Sequence, residues 1–171
     1  DVALTLANTA NGGTFTYAAT DVAGTADAKS ITVSGVTGGT LNMGTGVETL
    51  TINTSASATS LAALSTSATT LNITGDQNFT IAAAGELTTQ TTIDASALTG
   101  KLTLQTDTTA AISITGGSGA DSITADGGSA VVETISSGAG NDTVTFDANL
   151  ANTDVINGGD GTDTLASTFA L

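Results

Sequence analysis

Three aspartates set 21 residues apart, Asp121, Asp142 and Asp163, are the side chains whose spacing best suits them to chemistry. Each closes a glycine-rich turn: GGSGAD at 116–121, SGAGND at 137–142 and GGDGTD at 158–163. Two residues beyond each aspartate stands an aliphatic, Ile123, Val144 or Leu165. Glycines let the main chain take turns that aim carbonyl oxygens at one point. The aspartate adds charge where the turn ends. Donors of this kind suit calcium, which takes about six to eight oxygens at ~2.3–2.6 Å. One turn supplies too few oxygens, whereas two stacked turns supply two carboxylates and several carbonyls. The expected ligands are Asp121, Asp142 and Asp163, joined by carbonyls of Gly117, Gly119, Gly138, Gly140, Gly159 and Gly161, with Asp160 in a lesser role. Two calcium sites are expected, one between turns 116–121 and 137–142 and one between 137–142 and 158–163. A further pair, Asp126 and Asp147, is also 21 residues apart and could hold another ion; turn-starting aspartates are the simpler reading of it.

Composition narrows the alternatives. The 171 residues include 21 glycines and no proline, cysteine, histidine or tryptophan, and the net charge is −14. Two lysines, Lys29 and Lys101, and no arginine leave nothing to neutralise a phosphate backbone, so nucleic acid is not an expected partner. The same deficit argues against anionic membrane surfaces. No apolar run is long enough for membrane insertion. Without histidine or cysteine the commonest general base and the strongest nucleophile are missing, and an enzyme is not expected. Zinc and iron sites lack their usual ligands, which leaves oxygen-donor sites. Residues 116–171 hold eight carboxylates and no lysine, and stacking them without a cation would cost repulsion at every level.

The elements that position the aspartates follow from the period. Ile123, Val144 and Leu165 extend backwards through Leu102, Ile81, Leu61 and Leu41 in steps of 20 or 21. A second aliphatic column runs Val33, Ile52, Ile73, Ile93, Ile114, Ile135 and Ile156 in steps of 19 to 21. Each period reads as turn, strand, turn, strand, and one such unit cannot bury both faces of its strands. Stacking units in parallel buries a continuous aliphatic ladder. The sequence therefore predicts an all-β chain: a right-handed parallel β-solenoid with coils of about 21 residues and about seven rungs. Zero proline suits a fold in which every rung donates hydrogen bonds to its neighbour. Glu133 falls where Leu50, Leu71 and Ile112 are expected, which predicts a register shift or bulge near Val132. Residues 1–28 lie outside the period and read as a cap or the end of a preceding module, with strands flanking a turn at Asn11-Gly12-Gly13. Residues 29–115 read as metal-free rungs and 116–171 as calcium-binding rungs.

The pattern G-G-x-G-x-D-x-U-x resembles the RTX nonapeptide, the calcium-binding repeat of β-rolls. Two copies match at every specified position, and the middle one carries Ser137 in place of the first glycine. The likeness covers about a third of the chain, from 116 to 166. A Thr/Ala/Gly/Ser-rich solenoid with an in-frame GVETLTI at 46–52 that ends in RTX copies is similar to bacterial surface-layer proteins of the Caulobacter type, and to large RTX adhesins. That resemblance implies type I secretion, an extracellular place at the bacterial cell surface, and ordering by calcium outside the cell. It implies self-association in a lattice or fibre, contact with flanking modules, and cell-surface polysaccharide as a further partner. The alternatives are an adhesin module binding a surface, glycan or ice, and the RTX tail of a larger secreted enzyme. Outward hydroxyls such as Ser122 and Thr124, or Thr143 and Thr145, are what an adhesive or ice-binding face would use.

Overall fold

The computed structural model describes residues 4–14, 16, 18–81, 87–107, 110–125, 131–146 and 150–167. Among them the protein is all-β, with a single 3-10 turn at Ala19–Asp21 and no α-helix. Every strand pairing is parallel. Coils of about 21 residues stack into a β-solenoid of about six turns, close to the number expected.

Eight strands form the longest sheet: β1 (Leu4–Ala7), β3 (Ala28–Ser34), β5 (Thr49–Thr54), β8 (Thr70–Gly75), β10 (Thr92–Leu98), β12 (Ile112–Thr115), β14 (Glu133–Ser136) and β16 (Val155–Asn157). A second sheet holds β6 (Thr59–Leu61), β9 (Phe79–Ile81), β11 (Leu102–Thr106), β13 (Ser122–Ala125), β15 (Thr143–Phe146) and β17 (Thr164–Ser167). A short third sheet joins β2 (Gly12–Thr14), β4 (Thr40–Asn42) and β7 (Ala63–Ser65). From β8 onward each coil alternates between the two larger sheets.

Alternation sets which residues form the core. In TLTINT of β5, Leu50, Ile52 and Thr54 are buried while Thr49, Thr51 and Asn53 face outward. Branched residues suit such a half-buried pleated surface. Stacking repeats the arrangement, so Leu50 lies over Leu71 and Ile52 over Ile73. Phe79 and Phe146 are the largest fully buried side chains. Among the described residues β17 is the edge strand of the second sheet, and its inward Leu165 is 53% exposed.

Register corrects the expected columns. Ile31, not Val33, pairs with Ile52. Ile93 pairs with Leu71 and Ile114 rather than with Ile73, and a bulge between Asp94 and Ala97 shifts the register further in the same direction. In the second sheet Leu104, not Leu102, pairs with Ile123, while Leu102 pairs with Phe79. Leu41 lies in the third sheet against Leu64, not in line with Leu61. The shift expected near Val132 does not occur: β12 and β14 run in constant register from Ile112–Glu133 to Thr115–Ser136. Glu133 thus stands over Ile112 and is buried, whereas the column of Leu50 and Leu71 continues through Ile93, Ile114 and Ile135.

The N-terminal segment differs too. Gly12 and Gly13 belong to a strand rather than a turn, and β1 and β2 pair in parallel with β3 and β4. Leu4 to Thr14 therefore extend both sheets by a wider coil, with Leu4 pairing to Ile31, 27 residues on.

Candidate metal centre

The three glycine-rich turns sit one above another at the edge where the second sheet begins. Their glycines are dictated by close approach of main chains. A Cβ on Gly138 would collide with the carbonyl of Gly117, and one on Gly140 with the carbonyl of Gly119. Gly138 and Gly140 also take φ of +101° and +128°, a region L side chains rarely adopt. The same stacking places the Gly138 carbonyl against Gly159 and the Gly140 carbonyl against Gly161. Two of the carbonyls expected as ligands serve the ladder between coils: Ala139 N–H donates to Gly117 O and Asp160 N–H to Gly138 O, both at 2.9 Å. Asp160 contributes through its main chain, its carbonyl accepting from Gly140 N–H at 2.8 Å; the residue itself is exposed.

The aspartates form a column in three dimensions as in sequence. Each lies two residues before an inward aliphatic and so faces the interior. Asp121 and Asp142 are 2% and 1% exposed, while Asp163, on the last coil, is exposed. Their Oδ1 atoms make a ladder. Leu102 N–H donates to Asp121 Oδ1 at 2.8 Å, Asp121 N–H to Asp142 Oδ1 at 2.8 Å, and Asp142 N–H to Asp163 Oδ1 at 3.0 Å. Each carboxylate thereby satisfies a main-chain donor of the coil before it, which would otherwise be buried unpaired.

The second oxygens differ. Asp121 Oδ2 accepts from Gly117 N–H at 2.8 Å within its own turn. Asp142 Oδ2 is buried and has no hydrogen-bond partner. An orphaned carboxylate oxygen is costly in a dry site. The donor set here is entirely oxygen, which fits a hard cation such as calcium. No three acidic side chains converge among the described residues, so a cation held here would draw on carbonyl oxygens as well as carboxylates.

Burial pushes Asp121 above its usual value of 3.8. Amide donation from Leu102 and Gly117 opposes the shift, the Asp142 charge adds to it, and Lys101 opposes it weakly. Folded Asp121 thus keeps its proton at a pH where the unfolded chain has lost it. Its contribution to stability is full below pH 3.8 and is lost as pH rises through the raised folded value. In chelator, stability from urea melts should fall from pH 3.8 towards neutrality, and Asp121→Asn should flatten that fall. An unchanged slope in the variant would contradict the assignment.

Two further carboxylates that secure main-chain donors of the coil before them, ahead of strands of the long sheet, escaped the sequence reading. Asp154 accepts from Glu133 N–H at 3.1 Å through Oδ1 and from Ala151 N–H at 2.7 Å through Oδ2. Glu48 Oε2 likewise accepts from Asp27 N–H at 2.8 Å. The signal available was again a spacing of 21 between each pair. Asp126 and Asp147, the pair singled out from sequence, lie outside the described residues.

No family model matches the chain, and no curated protein or solved structure matches it either.

Proposed function

We propose that this chain is a structural, calcium-stabilised module of an extracellular bacterial surface layer or fibre, ordered by the calcium it meets outside the cell. The observation that carries this reading is the inward aspartate column, in which Asp142 keeps a buried carboxylate oxygen without a partner. Calcium would neutralise the column and be held by Asp142, with turn carbonyls as its further donors. Extracellular modules bind at about 0.1–1 mM, so such turns would be loose in a calcium-poor cytoplasm and firm outside it. The RTX-like spacing of the turns and the stacked fold support the same reading. Copies of the chain, flanking modules and cell-surface polysaccharide are the partners it implies.

One observation favours a second reading, adhesion. The outward face of the long sheet sets hydroxyl and amide side chains in register, with Thr49 and Thr51 over Thr70 and Asn72, and Ser113 and Thr115 over Thr134 and Ser136. A single experiment separates the two. Full-length protein is viewed by electron microscopy with millimolar calcium and again in chelator. Ordered sheets or fibres that dissolve in chelator are expected. Protein that stays monodisperse at every calcium concentration would overturn the structural reading in favour of adhesion.

A further inference from the structure

Resting on the calcium reading, we infer that the three turns are not equivalent, and that the cation is held at the 137–142 turn through Asp142 while the 116–121 turn is closed by its own hydrogen bonds. The two sites expected from spacing then become a single strong one.

The difference begins with one residue. At Gly116 a Cβ would come within 2.7 Å of Asp121 Oδ2, and at Gly158 it would collide with Asp163 Oδ2. In those turns the aspartate oxygen therefore lies over the first glycine. The middle turn has Ser137 at that position, fully buried, with its Oγ–H donating to Gly158 O at 2.9 Å. The serine Cβ fills the space the carboxylate oxygen uses in the other two turns. Asp142 Oδ2 is consequently the one aspartate oxygen of the column that is buried without a partner.

The first turn has no such need. Asp121 Oδ1 accepts from Leu102 N–H and Oδ2 from Gly117 N–H, both at 2.8 Å, so neither oxygen is left without a partner. Gly117 and Gly119 also lie outside the positive-φ region that their counterparts Gly138 and Gly140 occupy. A cation at the first turn would have to share oxygens that already accept amides. A cation at the middle turn displaces no hydrogen bond of Asp142 Oδ2 and supplies the partner that this buried oxygen lacks.

The test is calorimetric titration of the full chain with calcium chloride, repeated on Asp142→Asn and Asp121→Asn, with thermal melts in chelator. Asparagine at 142 keeps an oxygen for Asp121 N–H, so the ladder survives while the charge goes. The wild type should bind one calcium in the range of about 0.1–1 mM. Asp142→Asn should weaken binding about tenfold or more, equivalent to at least ~1.4 kcal/mol. In chelator the same variant should melt no lower than wild type, because the carboxylate oxygen it replaces was buried without a partner. Asp121→Asn should change affinity by less than about threefold. Two equal sites, an equal loss in both variants, or an Asp142→Asn protein less stable in chelator would each overturn the inference and leave the calcium reading standing. No calcium binding at all, with melts unmoved by millimolar calcium, would overturn the reading on which it rests.

Discussion

Replacing Gly138 by alanine is expected to unlock the C-terminal coils while leaving the N-terminal ones folded. Two costs act together. Alanine at a φ of +101° is strained by about 1–3 kcal/mol. Its Cβ also meets the Gly117 carbonyl, which cannot retreat because it accepts from Ala139 N–H at 2.9 Å. Overpacking against main chain adds about 1–3 kcal/mol. A loss of roughly 2–6 kcal/mol is therefore expected from urea melts. Gly24→Ala is the control, since no positive φ is required there and the nearest atom is the Asp27 side chain at 3.0 Å. It should change stability by no more than about 0.5 kcal/mol. In a stacked fold each coil touches only its neighbours, so the damage should stay near residue 138. Equal stability in both variants would remove close approach as the reason for the glycine column.

How far sequence alone reaches is clear from particular residues. The period near 21 and the aspartate column were legible because Asp121, Asp142 and Asp163 keep one spacing and stack in register through Ser122–Thr143 and Thr143–Thr164. Exact register upstream was not legible. Strands of the form apolar-x-apolar offer two inward positions, and Leu102 and Leu104 both point inside. A column drawn through either keeps the correct face, so pattern cannot choose between them. Only hydrogen bonding to the next coil decides, and it placed Leu104 with Ile123. The same ambiguity moved Val33 to Ile31 and Ile73 to Leu71. The first coil was hidden for another reason. Its return to the long sheet takes 27 residues, including the 3-10 turn, and breaks the period.

At the site, residue types were legible and their roles were not. The motif predicts carboxylates and glycine carbonyls around an ion. It does not reveal that each Oδ1 secures a main-chain donor of the coil before it. Nor does it show that Gly117 O and Gly138 O carry the ladder between coils. Ser137 read as a mild departure from the pattern. In the fold it occupies the place where Asp121 and Asp163 put their second oxygen, and it sets Asp142 apart.

Withdrawing calcium should loosen one end of the solenoid only. Ligand binding to the folded state alone stabilises it by about 1.4 kcal/mol per site at ten times the dissociation constant, or close to tenfold in the opening equilibrium. The coils from β3 through β8 have their stacking supplied by Leu50, Ile52, Leu71 and Ile73, all fully buried. The coils from β13 onward carry the aspartate column and end in the exposed Leu165. Hydrogen exchange in millimolar calcium and in chelator, read amide by amide, is the most direct test. Exchange at residues 116–167 should slow about tenfold with calcium, while residues 28–75 stay unchanged. Identical protection in both conditions along the whole chain would contradict a calcium-clamped solenoid.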